Sequence, residues 1–365
     1  MGPGRDHISL ADIGQALRQI RSACCRIQRP IRIMEVCGTH TVAIYRHGIR
    51  QMLPKEVQLI SGPGCPVCVT EDAYIDLALE LASKTDVLIA TYGDMVRVPG
   101  RGGSLERCQP AGKVQVVLSA DDVLALARSN PDRIVVFLAV GFETTAPATA
   151  VILQEAIESD IQNLCILCGH KLVVPAMKAL IDGRNTLIDG FLCPGHVSVI
   201  IGSNAFRQIV DVYQRPCVVA GFEPLQIMAG LAEICTMLAE GRAGLGSVYR
   251  AAVTPDGNIH AQQLMARYLQ VVPARWRGLG LIPQSGLAIR AEFGRFDAVQ
   301  RFGLAWPDHR ESPGCRCGEV LSGLIWPDQC PLFGDPCTPQ SPIGPCMVSS
   351  EGSCAALYKY GRHVR

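Results

Sequence analysis

The sequence lacks a long apolar run, a cluster of basic residues and a visible leader. No stretch approaches the roughly 20 apolar residues that a membrane helix needs, and the longest runs have the length of a strand. The first ten residues are polar, without the apolar segment of a signal peptide. The formal net charge is only +1, and no run of Lys or Arg forms a polybasic patch. We therefore expect a soluble, cytoplasmic protein without a membrane or nucleic-acid partner.

Two common ligand-binding motifs are absent as well. No Walker lysine motif occurs, and the glycines of Gly93-Asp94 and Gly221-Phe222 stand in isolated turns, so nucleotide use is not supported. The C-terminal part of the chain has no paired C-x2-C knuckles, which zinc ribbons and zinc fingers favour.

The chain is long and apolar enough to fold around a sizeable core. It has 365 residues, of which 48% are apolar and 18% charged, so it is not a disordered protein. At roughly 100–200 residues a domain, this length suggests two or three domains. Its 17 cysteines are unusual, and in a reducing compartment clustered cysteines are more often metal ligands or redox thiols than disulfides.

Short β-branched runs alternate with helix-like stretches over most of the chain. This alternation predicts α/β architecture, with parallel sheets covered by helices. The runs form two sets of similar length and order, so we predict two similar open α/β lobes, 31–130 and 131–275, facing a central cleft. The predicted strands are Ile31–Val36, Val57–Ile60, Val87–Ala90, Val114–Leu118, Ile134–Val140, Leu164–Cys168, Gly190–Leu192 and Cys217–Ala220.

The two ends of the chain differ from this pattern. Residues 7–28 have helical periodicity, so we predict an N-terminal helix within 1–30 and expect it to pack on the C-terminal domain. From about residue 275, Gly and Pro become dense and the periodicity fades. We predict a small domain over 276–365. With so few regularly spaced apolar residues it needs an additional stabilising element, such as a bound metal.

Six cysteines lie close together in this C-terminal domain. Their loops are rich in Pro and Gly, which lets thiolates converge on an iron–sulfur cluster, and four thiolates suit a [4Fe–4S] cluster. Zinc and a set of buried structural thiols are the alternatives. The six residues are Cys315, Cys317, Cys330, Cys337, Cys346 and Cys354.

Two cysteine motifs follow predicted strands of the first lobe. Cys37 and His40, three residues apart, could bind one metal ion, or His40 could lower the pKa of Cys37; otherwise they form a simple turn and helix cap. Cys65 and Cys68 form a C-x2-C motif before a helix, an arrangement typical of dithiol chemistry. Half of a zinc site is the alternative for this pair.

Two polar residues follow strands of the second lobe. Glu143 could act as a general base and His196 as a proton donor. Alternatively, each is an ordinary hydrogen-bonded group in a turn. Because ligands bind at the carboxyl ends of parallel strands, we expect these residues and the cysteine motifs to line one cleft.

Taken together, these motifs resemble the HypD family of hydrogenase maturation factors. They occur in order along nearly the whole chain, and the combination is specific although each motif alone is not. The family's C-x14-C-x6-C-x16-C signature falls on Cys315, Cys330, Cys337 and Cys354, leaving Cys317 and Cys346 as a spare pair. The matching stretches are Glu35-Val-Cys-Gly-Thr-His40, Gly62-Pro-Gly-Cys-Pro-Val-Cys68, Gly141-Phe-Glu-Thr-Thr-Ala-Pro147, Cys193-Pro-Gly-His196, Ala220-Gly-Phe-Glu-Pro224 and Met347-Val-Ser-Ser-Glu-Gly352 with Cys354.

The resemblance implies a role in building the Fe(CN)2CO unit of [NiFe]-hydrogenases. It implies a [4Fe–4S] cluster on the four signature cysteines, Cys37 as a ligand of the iron that receives CO and cyanide, and Cys65 and Cys68 as a cleft dithiol. His40 and His196 match motif histidines. The implied partners are the chaperone HypC and the cyanide donor HypE, with the carbamoyltransferase HypF upstream. Such a protein is an assembly scaffold with redox activity more than a conventional turnover enzyme; a stand-alone [4Fe–4S]-dependent thiol–disulfide reductase is the alternative.

Overall fold

The computed structural model describes residues 10–183, 187–307 and 314–361. None of the helices in these ranges is long and apolar enough to cross a membrane. The strands are β1 (Ile31–Glu35), β2 (Val57–Ser61), β3 (Val87–Thr91), β4 (Val114–Val116), β5 (Ile134–Ala139), β6 (Leu164–Cys168), β7 (Gly190–Pro194), β8 (Cys217–Ala220), β9 (Leu245–Ser247), β10 (Leu269–Trp276) and β11 (Gly280–Ile289). The α-helices are α1 (Leu10–Ile27), α2 (Gly38–Arg46), α3 (Ile49–Met52), α4 (Pro66–Val69), α5 (Asp72–Ser83), α6 (Gly93–Val96), α7 (Ala120–Ser129), α8 (Ala146–Glu158), α9 (Val173–Asp182), α10 (Gly195–Ile201), α11 (Arg207–Tyr213), α12 (Pro224–Ala239), α13 (Ile259–Tyr268), α14 (Ala298–Phe302), α15 (Cys317–Leu321), α16 (Pro345–Val348) and α17 (Ser353–Ala356).

The predicted α/β architecture is confirmed. Each of the eight predicted strands is present and ends within two residues of its predicted limit. Central strands such as β3 are buried along their whole length, because helices cover both faces of a parallel sheet, and this explains their uninterrupted apolar sequences. The predicted N-terminal helix runs over 10–27, while residues 7–9 of that prediction lie outside the described ranges.

The strands form two parallel sheets, but they do not divide at residue 130 as we expected. One sheet has the order β2-β1-β7-β8-β9 and the other the order β4-β3-β5-β6. The chain therefore begins in the first sheet, crosses to the second for four strands and then returns. Sequence order does not determine which strands pair, because a helical crossover can connect strands that are not neighbours.

Helix α1 packs on the first sheet's helical layer, and among the described residues its main packing partner is α12 and not the C-terminal domain. Its apolar face, which includes Ile20 and Ala23, joins a buried cluster with Met228 and Leu231 of α12. The Arg26 guanidinium also donates a hydrogen bond to the Ala239 carbonyl at the end of α12 (2.9 Å). The expectation that α1 contacts the C-terminal domain was wrong, because an apolar helix stripe shows that a partner exists without showing which one.

The C-terminal part begins with a hairpin that the fading periodicity did not predict. Strands β10 and β11 pair antiparallel, and β11 docks on the loop after β6 through the amide of Leu287, which donates to the His170 carbonyl (3.1 Å). The cysteine-rich segment that follows has only short helices. It contacts both halves of the α/β part: Arg32, near the start of β1, donates to the Gly323 carbonyl (2.8 Å), and Arg97, just after α6, donates to the Pro339 carbonyl (2.7 Å).

Candidate functional site

Cys37 lies at the topological switch point of the first sheet. It follows β1, which pairs with β2 on one side and with β7 on the other. At such a point the connections leave in opposite directions and open a crevice outside the carboxyl ends of the strands. The neighbouring strands β2 and β7 lead into the C-x2-C motif and into His196. The structure thus brings Cys37, the C-x2-C motif and His196 together at the carboxyl ends of the strands of the first sheet.

The loop after β2 lies directly on the backbone of Cys37. The amide of Gly38 donates to the Gly64 carbonyl (2.9 Å). A Cβ atom added to Gly64 would stand 2.1 Å from the Cys37 amide nitrogen, so only glycine permits this approach. The contact holds the two cysteine motifs together at the mouth of the sheet.

We predict that Gly64→Ala separates the two motifs and destabilises the protein by about 1–3 kcal/mol, the usual cost of overpacking. The wild-type and variant melting temperatures measure this effect. Gly93→Ala is the matched control, since a Cβ there would meet nothing closer than a Val116 methyl at 3.8 Å. Equal melting temperatures for Gly64→Ala and wild type would contradict the prediction.

The C-x2-C motif forms a buried disulfide that contacts the cysteine-rich segment. Cys65 and Cys68 are bonded to each other, and the Cys65 sulfur accepts a hydrogen bond from the Cys68 amide (3.2 Å). Both side chains are almost fully buried. The Cys68 sulfur lies 4.0 Å from the carbonyl oxygen of Pro345, the residue before Cys346. The disulfide therefore lies between the Cys37 turn and the C-terminal cysteines.

The Cys37 thiol lies near two acidic groups, the buried Glu35 and the half-buried Glu351. Its pKa is raised to about 12, mainly by burial and also by these two carboxylates, while the amides of His40 and Thr39 act to lower it. Glu35 also accepts a hydrogen bond from the Cys37 amide (3.2 Å). The thiol is thus neutral in this state, and a metal ion would have to supply the positive charge that stabilises its thiolate.

Glu35 and Glu351 belong to two of the motifs that carry the family resemblance, but neither was predicted as a site residue. Glu351 comes from the cysteine-rich segment and accepts a hydrogen bond from the Thr39 hydroxyl (2.7 Å). Its side chain also covers Gly38, where an added Cβ would stand 2.6 Å from the Glu351 Cβ. The one available signal was a glutamate two or three positions before a cysteine, Glu35 before Cys37 and Glu351 before Cys354.

His40 and His196 both pack against the ring of Phe222. The Phe222 centroid is 5.0 Å from the His40 ring and 4.0 Å from the His196 ring. His40 is buried, which lowers its pKa to about 4, and His196 is exposed. Since Nε2 of the neutral His40 lies 2.9 Å from the Gly221 carbonyl, it carries the proton and Nδ1 is a free lone pair. Nδ1 is buried with no hydrogen-bond partner among the described residues.

Glu143 lies at the carboxyl ends of the strands of the second sheet. It follows β5, and its Oε1 accepts a hydrogen bond from the amide of Val173 (3.0 Å). Burial raises its pKa from 4.5 to about 7. The neighbouring Phe142 and Val173 share one apolar cluster with Val36, Cys65 and Cys68, so the carboxyl edges of the two sheets meet there.

Glu143 should make stability fall as the pH rises. Between about pH 4.5 and 7 the folded carboxyl keeps its proton while the unfolded one has lost it, so stability decreases through this window. Glu143→Gln removes this pH-dependent loss of stability. Above pH 7 its free energy of unfolding should exceed that of wild type by up to about 3 kcal/mol. His40 and His170, whose lowered pKa values act in the opposite direction, are the same in both proteins.

Melting temperatures of wild type and Glu143→Gln, measured from pH 4 to 8, test this prediction. The difference between the two proteins should grow with pH and become constant above about pH 7. The exposed Glu106→Gln is the control and should show no such trend. A constant difference across the range would show that Glu143 is ionised in the folded protein.

The six C-terminal cysteines line one cavity. Its other walls are apolar, formed by Val320, Leu332, Phe333 and Met347 together with Gly344. A Cβ added to Gly344 would stand 2.6 Å from the Cys315 sulfur, so this glycine makes room for a thiol. Soft donors in an apolar, glycine-lined pocket are the environment that iron–sulfur clusters require. The donor set therefore fits the predicted cluster.

The thiols of this cavity contact one another directly. Cys317 hydrogen-bonds to Cys315 and Cys346, and Cys346 in turn to Cys354. These contacts lower the pKa of Cys317 and raise those of Cys315 and Cys346. The cavity between the thiols has a volume of about 20 Å³. Within the described ranges, no three His, Cys, Asp or Glu side chains are arranged as ligands of a single metal ion.

Comparison with known proteins shows the family to which the chain belongs. The HypD family model, described as "Hydrogenase formation hypA family", matches residues 11–361. The hydrogenase maturation factor HypD of Escherichia coli K12 is 46% identical over 335 residues, covering 91% of this chain and 90% of that protein. The protein of the same name from Cupriavidus necator is 45% identical over 338 residues, covering 90% and 89%. The hydrogenase expression/formation protein HupD of Azotobacter chroococcum is 45% identical over 342 residues, covering 92% and 90%. The chain thus belongs to the HypD family.

Proposed function

We propose that this protein is a hydrogenase maturation factor, a scaffold and redox component on which the Fe(CN)2CO unit of [NiFe]-hydrogenases is assembled. One observation carries the proposal: the Cys37 turn, the Cys65–Cys68 disulfide and the cysteine-rich segment form one continuous buried contact. A scaffold for such chemistry needs a soft iron ligand and a nearby source of electrons. We place this activity in the cytoplasm, where free thiols stay reduced.

Cys37 is the residue we propose as the ligand of the substrate iron. Low-spin iron that carries CO and cyanide prefers thiolate ligands. The thiol lies at the switch point of the first sheet, and a HypC-type chaperone would supply a second cysteine. The lone pair on Nδ1 of His40 and the exposed ring of His196 are candidates for accepting or delivering a proton during ligand transfer.

Cys315, Cys330, Cys337 and Cys354 are the ligands we propose for a resident [4Fe–4S] cluster, which when bound would supply single electrons. Cys317 and Cys346 would then be free to act as a thiol pair. Reduction of the Cys65–Cys68 disulfide takes two electrons and two protons and leaves two thiols. The proximity of Cys68 to Pro345 supports exchange between this dithiol and the Cys346 region.

The proposal is tested by anaerobic co-purification with a HypC-type chaperone. We expect a 1:1 complex with infrared bands of cyanide and CO, and with the Mössbauer signal of a four-iron cluster. Cyanide bands should further require a HypE-type donor and its HypF-type carbamoyltransferase. Zinc without sulfide-bridged iron in the purified protein would contradict the proposal.

A stand-alone thiol–disulfide reductase is the second candidate, and the Cys65–Cys68 disulfide favours it. Such an enzyme would reduce a disulfide substrate catalytically with an electron donor and without a partner protein. Steady turnover of a model disulfide by the isolated protein, lost in Cys65→Ser, would favour this candidate. Turnover that is absent without the chaperone would favour the scaffold.

A further inference from the structure

The turn of the β10–β11 hairpin, residues 277–279, carries a buried arginine. Arg277 is only 6% exposed. The preceding Trp276 is fully buried in the apolar cluster that includes Cys68 and Cys317. Arginine is rarely this buried unless a carboxylate pairs with it, because an isolated charge in the protein interior is costly. The chain thus keeps a positive charge inside the protein, close to its cysteine sites.

Hydrogen bonds fix Arg277 on the segment that follows the C-x2-C motif. Its amide donates to the Val69 carbonyl (2.9 Å) and its Nε to the Thr70 carbonyl (2.8 Å). Its Nη2 donates to the Pro99 carbonyl (3.3 Å). All three acceptors are neutral, and among the described residues no ion pair includes Arg277. The guanidinium is therefore held in place without a carboxylate that neutralises its charge.

The next residue of the turn lies directly on the helix that begins at Cys317. A Cβ atom added to Gly278 would stand 2.1 Å from the Cα of Gly318, and one added to Gly318 would stand 2.5 Å from the Cα of Gly278. Only glycine permits backbones to approach this closely. Since Cys317 lines the cysteine cavity, Arg277 lies between the C-x2-C segment and the wall of that cavity.

The charge of Arg277 reaches the thiols of the cavity. Hydrogen bonds with neighbouring thiols lower the pKa of Cys317 most, and the Arg277 charge lowers it further. The described residues that line the cavity include no charged side chain. A second cation near these cysteines, Arg316, is 40% exposed at its side chain and paired with Glu319. Solvent and Glu319 screen that second charge, whereas the Arg277 charge acts through the protein interior.

A buried positive charge stabilises any negative charge that the cavity gains. When a [4Fe–4S] cluster accepts one electron, the cluster and its four thiolates together become more negative by one charge. The potential of such a cluster depends on the net charge and the solvent exposure of its surroundings. The Arg277 charge should therefore favour the reduced cluster and raise the potential at which it accepts an electron.

We propose that Arg277 sets the reduction potential of the [4Fe–4S] cluster in the cysteine cavity, acting through its charge and not as a ligand. The inference rests on the proposed function, because it requires that cluster. The electron comes from an external one-electron donor, and the guanidinium stabilises the negative charge that the electron adds. Its hydrogen bonds to the carbonyls after Cys68 hold this charge between the cluster and the Cys65–Cys68 disulfide, the two redox groups of the proposed scaffold.

A redox titration of the full-length, anaerobically purified protein tests this role, with electron paramagnetic resonance reporting the reduced cluster. Arg277→Met and Arg277→Gln both remove the charge, and the glutamine retains an N–H donor. Each should lower the equilibrium constant for one-electron reduction at least about 10-fold, which corresponds to a fall of about 59 mV in potential. Arg277→Lys keeps the charge and should stay within about threefold of wild type.

Arg275→Gln is the matched control. It removes the same charge from an exposed position of β10, two residues away, where solvent screens the charge. Its reduction equilibrium should also stay within about threefold of wild type. A shift in Arg275→Gln as large as that in the neutral Arg277 variants would overturn the proposal, and so would a 10-fold shift in Arg277→Lys.

Iron and sulfide analysis separates failure of this inference from failure of the proposed function. Absence of a cluster from the wild-type protein would overturn both. A cluster that is present in the neutral variants with wild-type iron content and unchanged potential would overturn the role of Arg277 alone. Loss of the cluster from both neutral variants would do the same, because Arg277 would then be needed to hold the cluster and not to set its potential.

Discussion

In the Cys37→Ala variant, we expect the complex with a HypC-type chaperone to form without the infrared bands of cyanide and CO. The physical reason is the loss of a soft thiolate at the switch point of the first sheet, where the surrounding donors are carboxylates and an imidazole. Iron in the complex should fall at least about 10-fold, because even changes behind the direct ligands of a metal cost that much. Infrared spectra and iron content of the purified complex measure both effects.

A matched variant separates this effect from the general cost of removing a buried cysteine. Cys235→Ala changes a fully buried cysteine of α12 in a different apolar cluster. It should lose some stability through the small void it creates and should keep the infrared bands. A Cys37→Ala complex that still carries the bands would show that the iron is held elsewhere.

The second large effect is expected in Cys330→Ala. This variant should lose the cluster, with iron falling from about four atoms per chain to below one. The melting temperature should drop by more than about 5 °C, because cluster binding contributes folding free energy to a segment that has only short helices. Iron and sulfide analysis together with thermal melting of the anaerobic protein check this outcome.

Cys317→Ala provides the control, since Cys317 lines the same cavity but falls outside the C-x14-C-x6-C-x16-C signature. It should retain about four iron atoms. If Cys330→Ala keeps its iron, Cys330 is not a ligand. If Cys317→Ala loses iron instead, the ligand set must include Cys317, whose thiol hydrogen-bonds to both Cys315 and Cys346.

The strands could be predicted because their signal is local. The run at 87–90, for example, is apolar throughout, as is usual for a strand buried on both faces. The hairpin at 269–289 was missed because one of its strands alternates between exposed and half-buried residues in a Gly- and Pro-rich context. Helices α2 and α3 are separated at Gly48, whose φ of +64° permits a left-handed turn.

The sequence by itself determined the α/β class, eight of the eleven strands in the described residues, the cysteine spacing and the family. It could not determine which strands share a sheet, that α1 packs on α12, or that the C-x2-C disulfide contacts the cysteine-rich segment. Those features depend on contacts between residues far apart in the chain, such as Thr39 with Glu351 and Cys68 with Pro345, which are 312 and 277 positions apart. Periodicity reports only which face of an element is buried, whereas the packing of whole sheets and loops decides what buries it.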